Sequence, residues 1–150
     1  MYSKRKLIPV LAPVLLLALA IHSDSASRLP TFKPESIALH EAEILIYIMP
    51  AAQEVRKQGW DIGWELQTSP DLNQKNYFVF WVVNSKRPNV NGSVAIGYYS
   101  VNKNTADIWD DNFGSFVKGA ELEGVQAILR RAHHIDDATI EQYRSRRPNR

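Results

Sequence analysis

V-A-I-G-Y-Y-S-V-N-K-N-T-A-D-I-W-D, residues 94–110, is the stretch around which the rest of the chain is organised. Side chains of a strand alternate between two faces, and the first eight residues predict a strand with Ile96 and Tyr98 on one face and Tyr99 and Val101 on the other. Residues 102–105, Asn-Lys-Asn-Thr, predict a tight turn, because Asn tolerates left-handed φ and bonds its own backbone. Apolar residues resume at Ala106, so the whole stretch predicts a β-hairpin.

Gly97 lies in the middle of the first strand of this hairpin. A glycine inside a strand indicates a bulge or a second element lying very close to the backbone. The small pair Ala95 and Gly97 therefore predicts the place where a helix docks on the sheet.

The pattern Tyr-x-Val-Asn-x-x-Thr-x-x-x-Trp-Asp, within Tyr98–Asp110, resembles the last hairpin of small secreted bacterial domains of the cystatin-like and PepSY-like kind. In those domains a V-(N/D)-x-x-T-G-x-V turn ends a curved sheet that packs on a helix. The resemblance is confined to this hairpin, and it departs from the pattern at Ala106, where Gly is usual. It implies an inhibitory or protein-binding role, and it carries no site residues over.

Periodicity predicts the other elements, which are helices over 34–48, 50–58 and 121–133 and strands over 62–68 and 77–83. Pro50 stops or kinks the first helix, since proline cannot donate the helical hydrogen bond. Strands grouped between flanking helices indicate the α+β class. The expected architecture is an N-terminal helix kinked or broken at Pro50, a four-stranded antiparallel meander, and a C-terminal helix packed on the sheet.

The first 26 residues read as a secretory signal peptide. Lys4, Arg5 and Lys6 form a basic start, Leu7–Ile21 is apolar, and small polar residues follow. The alternative is a retained membrane anchor. Two prolines and an apolar run shorter than the roughly 20 residues that span a bilayer argue against it.

The chain contains no cysteine. Lipidation at a cysteine is therefore excluded, and a small domain without disulfides favours a bacterial periplasmic or secreted protein. Residues 27–143 form one predicted α+β domain, and 144–150 form a basic tail that is predicted to be disordered.

Charge argues against a nucleic-acid partner. Removal of residues 1–25 leaves 15 basic and 15 acidic residues, and residues 26–143 alone carry 11 basic against 15 acidic. A mildly acidic body with a basic tail does not resemble a nucleic-acid groove. Weak contact of the tail with an anionic surface remains open.

Two clusters could carry chemistry. Asp107, Asp110 and Asp111 crowd the end of the hairpin, where paired carboxylates could share a proton. His133 and His134 form the second cluster. Asp137 lies four residues after His133, so His133 and Asp137 share a helix face and could bind a metal together. A zinc site needs three or four ligands and no partner motif is visible, so the sequence predicts no metal and no cofactor. A small envelope enzyme is the alternative that these clusters keep open.

The aromatic residues of the strands suggest the leading hypothesis. Most must be core, but the second face of a single-layer sheet can present aromatics to a partner. The predicted binding surface is the open sheet face or the loops around 84–91 and 110–114. The predicted binding residues are Trp64, Trp109, Asp110 and Asp111. We therefore expect a non-enzymatic binding module that engages a protein of the cell envelope, in the manner of an inhibitor or an immunity protein. A self-associating structural or assembly factor that dimerises through a sheet edge is the third hypothesis.

Overall fold

A computed structural model describes residues 35–69, 72, 74–85 and 94–144. The predicted signal segment and residues 145–150 of the predicted tail lie outside the described residues. Within the described ranges, no helix has the length and apolar character needed to cross a membrane.

The described residues form four helices and five strands. In chain order these are α1 (Leu39–Ile48), α2 (Pro50–Lys57), β1 (Ile62–Leu66), β2 (Tyr77–Asn84), β3 (Ala95–Asn102), β4 (Ile108–Asp110), β5 (Ser115–Phe116), α3 (Ala120–Ala132) and α4 (Asp137–Arg144).

The strands form one sheet in the order β1-β2-β3-β4-β5, with every neighbouring pair antiparallel. The predicted α+β class, the meander and the C-terminal helix are confirmed. The sheet has five strands rather than the predicted four, because β5 forms between the predicted hairpin and the predicted helix at 121–133, where the sequence predicts no strand. A two-residue strand shows no alternation, so its sequence carries no strand signal.

The first helix breaks at Pro50 as predicted, with Met49 in an extended conformation between α1 and α2. The helix begins at Leu39 instead of 34, because the preceding backbone bonds to other elements. The N–H of Glu35 donates to the carbonyl of His133 (3.0 Å), and the N–H of Ile37 donates to that of Lys103 (2.8 Å). These contacts hold the segment extended against α3 and the β3–β4 turn.

Helix α4 was not predicted. Its eight residues contain one buried apolar side chain, Ile140, which is too little periodicity to identify a helix. Arg144, the first residue of the predicted tail, is the last residue of this helix.

Antiparallel register separates the side chains of the sheet into two faces, because residues paired across strands share a face. Phe80 pairs with Tyr99, and Val101 pairs with Ile108, and these residues face the helices. They join buried side chains of the helices in one core: Ala42, Leu45, Ile46, Met49, Ala52, Leu122, Ile135 and Ile140. We refer to the opposite side of the sheet as the outer face.

The predicted turn at 102–105 is confirmed, and its geometry explains the unusual alanine. The Asn102 side chain accepts from the N–H of Asn104 (2.8 Å), and the Asn102 carbonyl accepts from the N–H of Ala106 (2.9 Å). Ala106 has a φ of 59°, in the left-handed region that glycine adopts most easily. The position at which this chain departs from the V-(N/D)-x-x-T-G-x-V pattern is thus one where the backbone conformation favours glycine. The fourth strand resumes at Ile108, two residues later than predicted.

Gly97 shows both features that its position predicted. The β2–β3 register shifts between Val82 and Val83, opposite Ile96, which marks a bulge beside Gly97. A Cβ added at Gly97 would collide with the side-chain amide of Asn112 and press on the Tyr99 ring. The close neighbours are therefore side chains of the sheet and its last hairpin, and the prediction of a helix at this point is wrong.

We expect Ala106→Gly to leave the free energy of unfolding within about 1 kcal/mol of the parent chain. Release of the left-handed alanine gains about 1 kcal/mol, and loss of a fully buried methyl group costs about 0.8 kcal/mol. Ala127→Gly, inside α3, is the control and should cost about 1 kcal/mol. Urea denaturation measures both. A loss at Ala106 larger than that at Ala127 would contradict the assigned turn geometry.

Candidate functional site

The turn between β4 and β5 is fixed by one carboxylate. Asp110 Oδ1 accepts from the backbone N–H of Asn112 (2.9 Å), from that of Phe113 (3.1 Å) and from the Asn112 side chain (3.2 Å). The N–H of Gly114 donates to the Asp110 carbonyl (2.8 Å), with Gly114 at a φ of 67°. A short polar side chain and a glycine thus hold the turn in one conformation.

The tip of this turn presents Phe113, whose residue surface is 84% exposed. On the two strands that flank the turn, the Trp109 and Phe116 rings meet edge to face, with centroids 4.9 Å apart. Trp109 is half-buried, and Phe116 and Tyr98 are exposed. Register places Trp109 opposite Phe116 on the outer face of the sheet.

Asp111 lies beside these rings. Its N–H donates to the Tyr98 carbonyl (3.0 Å), and its carboxylate accepts from the Ser100 hydroxyl (2.8 Å). We define the hairpin surface as Tyr98, Trp109, Asp111, Phe113 and Phe116. Asp111 is the one charged residue of this set, so the hairpin surface combines exposed aromatic rings with a negative charge.

Asp110 contributes to this surface by shaping it. Its register partner is Tyr99, on the helix-facing side. Burial and the Asp110 carboxylate raise the pKa of the Tyr99 hydroxyl to about 12. Tyr99 therefore keeps its proton at neutral pH and cannot serve as a general base.

The structure brings together three of the four predicted binding residues and separates the fourth. Trp109, Asp110 and Asp111 belong to the β4–β5 hairpin. Trp64 points to the helix-facing side of β1, at the other end of the sheet.

There, the indole N–H of Trp64 donates to Glu43 (3.3 Å) and its ring meets the edge of Tyr47 at 6.4 Å. The guanidinium of Arg56 stacks 3.7 Å from the Tyr47 ring centroid. The sequence could not separate the two tryptophans, because both occur in strands of similar character.

The acidic group that the enzyme hypothesis invoked does not form a single site. Asp107 is buried, and its carboxylate accepts from Arg130 Nη2 at 2.7 Å and from Arg144 Nε at 3.1 Å. Arg130 also donates to the Thr105 carbonyl (2.8 Å). Asp107 therefore joins α3 and α4 to the β3–β4 turn, while the Asp110 carboxylate is bonded within the β4–β5 turn and the Asp111 carboxylate is bonded to Ser100 of β3.

The two adjacent histidines, His133 and His134, lie in different environments. His133 Nε2 lies 2.9 Å from both carboxylate oxygens of Glu41, and because a carboxylate only accepts, Nε2 carries the proton. His134 is exposed and has a φ of 54°. Across the described ranges, no group of three or more His, Asp or Glu side chains is arranged to hold a metal ion.

The sequence prediction of a binding loop around 110–114 includes Phe113 but does not single it out. The signal was present: Asp-Asp-Asn-Phe-Gly places a large aromatic in a turn whose neighbours are turn formers. An aromatic in such a turn has no strand or helix period to bury it. Its exposure could have been inferred from that context alone.

Comparison with known proteins provides one structural neighbour. No protein-family model matches the chain, and no curated protein matches it significantly in sequence. The fold is similar to a chain of a type VI secretion system effector–immunity complex from Pseudomonas protegens, with a TM-score of 0.54 and 22% sequence identity. The match covers 73% of this chain and 88% of that one. At that identity the likeness shows a shared fold, and the resemblance to cystatin-like and PepSY-like domains stays a prediction.

We expect Asp107→Asn to lower the free energy of unfolding by about 3 kcal/mol, because it leaves the partly buried Arg130 without its anion. The control is Glu54→Gln, which removes an ion pair between two well-exposed side chains and should change stability little. Equal midpoints in urea denaturation for the two variants would contradict the structural role of Asp107.

Glu41 makes stability depend on pH in acid. Burial raises the pKa of its carboxyl, but the hydrogen bonds from His133 and from the Ala38 N–H outweigh burial and hold the pKa below the ordinary value of 4.5. A carboxyl with a lowered folded-state pKa stabilises the protein above its unfolded-state pKa, and this contribution is lost as pH falls through the folded-state pKa.

We therefore expect Glu41→Gln to be less stable than the parent chain at about pH 6 and to approach it at about pH 3. Urea denaturation at both pH values measures the difference, with Glu54→Gln as the control. A Glu41→Gln deficit that stays constant between the two values would show that the carboxylate's charge contributes nothing.

Proposed function

We propose that this chain is a non-enzymatic module that binds a protein partner through the hairpin surface and neutralises it, as an immunity protein or inhibitor does. The observation that carries the proposal is the presentation of Phe113, a large aromatic side chain held out at the tip of a rigid turn. The fold likeness to a chain of an effector–immunity complex supports the same reading.

Exposure of aromatic side chains costs solvation free energy, so a contiguous exposed patch indicates an interaction site. Binding energy in protein interfaces concentrates in a few anchors, and aromatic side chains are frequent among them. Trp109 and Phe116, whose rings meet edge to face, belong to the same hairpin and add aromatic surface to the anchor. The rim of the patch is polar and acidic, as Asp111 shows.

The turn also lowers the entropic cost of association. A loop that is already fixed by four hydrogen bonds to Asp110 loses little further freedom on binding. A partner that suits this surface offers an apolar pocket with basic side chains at its rim, since complementary charge sets orientation and association rate.

The catalytic alternative has less support. Its carboxylates and histidines lie in three separate places, and Asp107, Asp110, Asp111 and His133 each have a structural hydrogen-bond partner. A general acid–base pair needs both groups within reach of one substrate atom. The proposed role needs no cofactor.

We further propose that the protein acts in the periplasm or outside the cell. The support is the basic start at Lys4–Lys6 followed by the apolar run Leu7–Ile21. The absence of cysteine leaves no residue for a lipid anchor. An envelope location places the module where it meets a toxic or degradative protein that enters or resides there.

We expect the tagged full chain, purified from its own cells after cross-linking, to bring down one dominant protein in stoichiometric amount. Phe113→Ala should lower recovery of that protein by roughly 30-fold or more, the loss expected for a central anchor. Ile128→Ala is the control, because Ile128 is a well-exposed apolar residue of α3, outside the hairpin surface. Quantitative mass spectrometry measures the three samples, and thermal denaturation verifies that all three fold.

Neutralisation is tested with the recovered protein. Its activity or toxicity should fall when the parent chain is added and should remain with the Phe113→Ala variant. Recovery that is unaffected by Phe113→Ala, or that falls equally with Ile128→Ala, would reject the hairpin surface as the binding site. A partner that is bound but fully active would reject the neutralising role.

A further inference from the structure

Strand β1 is an edge of the sheet, and its register with β2 shows which of its backbone groups point away from the sheet. The N–H of Gln67 donates to the Val79 carbonyl (2.8 Å), and the N–H of Ser85 donates to the Asp61 carbonyl (3.0 Å). Hydrogen-bonding direction alternates along a strand, so residues 61, 63, 65 and 67 turn their backbone groups towards β2. The N–H and C=O groups of Ile62, Trp64 and Leu66 therefore point away from the sheet.

This edge carries few of the devices that usually protect an exposed strand. Natural edges are protected by Lys or other charged side chains, by Pro, by a bulge, or by a covering helix or loop. The sequence Ile-Gly-Trp-Glu-Leu has neither Lys nor Pro, its one charged residue is Glu65, and its register with β2 is unbroken over all five positions. In the part of the chain that the structure describes, β2 is the only strand that pairs with β1. Leu66 is an exposed apolar side chain on the helix-facing side, and Tyr47 of α1, whose ring meets Trp64, is also exposed.

We propose that a second copy of this chain pairs with this edge, β1 against β1, antiparallel and centred on Trp64. In that register Ile62 lies opposite Leu66 of the second copy, and Trp64 lies opposite its own equivalent. Each outward-facing residue then meets another outward-facing residue, so the three pairs form about six main-chain hydrogen bonds. The arrangement is a closed two-fold dimer, in which one surface serves both copies.

Side chains select this register over its neighbours. On the helix-facing side, apolar groups meet apolar groups: Trp64 meets Trp64, and Ile62 meets Leu66. On the outer face, Glu65 lies opposite Gly63, so no acids face each other. A slip by one pair in either direction sets Glu65 against Glu65 or Asp61 against Glu65, and like charges directly opposite are destabilising.

The dimer leaves the hairpin surface free. Strand β1 is at one edge of the sheet, and the β4–β5 hairpin is at the other. Pairing through β1 gives a continuous sheet of ten strands, five from each copy, with a hairpin surface at each end. Self-association and partner binding can therefore succeed or fail independently.

Sedimentation velocity tests the proposal. It is measured across a concentration series on the full chain purified from its own cells. We expect a monomer–dimer equilibrium whose dissociation constant rises by roughly tenfold or more with Leu66→Lys, since an edge lysine blocks strand pairing. Phe116→Lys is a matched control: Leu66 is 36% exposed and Phe116 is 37% exposed, at opposite edges. A monomer at every concentration, or a dimer lost with Phe116→Lys and kept with Leu66→Lys, overturns the proposal.

Thiol cross-linking tests the register itself, because the chain has no cysteine. Gly63→Cys and Glu65→Cys place thiols on facing residues of the two copies, where Cα atoms about 4.5 Å apart suit a disulfide. A Cβ at Gly63 makes only ordinary contacts with Val83 and Ser85, so the fold tolerates the change.

Mild oxidation of the two variants mixed together should give a disulfide-linked dimer in much higher yield than either variant alone. Equal yields in all three samples, or no linked dimer in the mixture, reject the Trp64-centred pairing. This readout does not depend on how well Leu66→Lys folds.

Discussion

The structure depends on the ion pairs of Asp107. One buried carboxylate accepts from Arg130 of α3 and Arg144 of α4, and Arg130 extends to the Thr105 carbonyl. The Gln126 side chain adds a hydrogen bond to the Ala106 carbonyl (2.9 Å). Two helices are thereby fastened to a turn whose alanine holds a left-handed conformation. Such strain persists only where the surroundings over-determine it, and here the helices supply that constraint.

The fixed turn directs β4, and β4 directs the hairpin that follows. Strand β4 has three residues, so its course is set mainly by how it leaves the β3–β4 turn. Asp110 then reverses the chain, and the reversal places Phe113 at the tip of the turn, between the strands that carry Trp109 and Phe116. Two acidic residues of one short stretch therefore link the packing of the core to the exposed turn. Asp107 accepts hydrogen bonds from guanidinium groups of the helices, and Asp110 accepts them from backbone N–H groups of the turn.

Much of the fold could be predicted from local pattern. The run at 77–83, the Asn-rich turn at 102–105 and the break at Pro50 each carry a strong local signal, and all three were found as expected. Strand β5 and helix α4 were missed because each is held by contacts distant in sequence: β5 by pairing with β4, and α4 by Ile140 and the Asp107–Arg144 ion pair. Such contacts produce no periodic pattern in the local sequence.

The site was harder to predict than the fold. The sequence grouped Trp64 with Trp109 because they are the same residue type. It grouped Asp107 with Asp110 and Asp111 because they are close in residue number. The structure separates both groups, since strand order and register decide which residues share a face. The loop at 110–114 was predicted as a binding surface, but the sequence carries no pattern that singles out Phe113 within it.

The central claim is that a protein partner contacts the tip of the β4–β5 hairpin in the living cell. Its most direct test is a photo-reactive phenylalanine analogue placed at Phe113 in one strain and at Ile128 in another, followed by irradiation and mass spectrometry of the linked products. The account predicts one abundant heterologous cross-link from position 113 and none of comparable yield from 128. Linkage to the same protein from both positions, or from 128 alone, would contradict it.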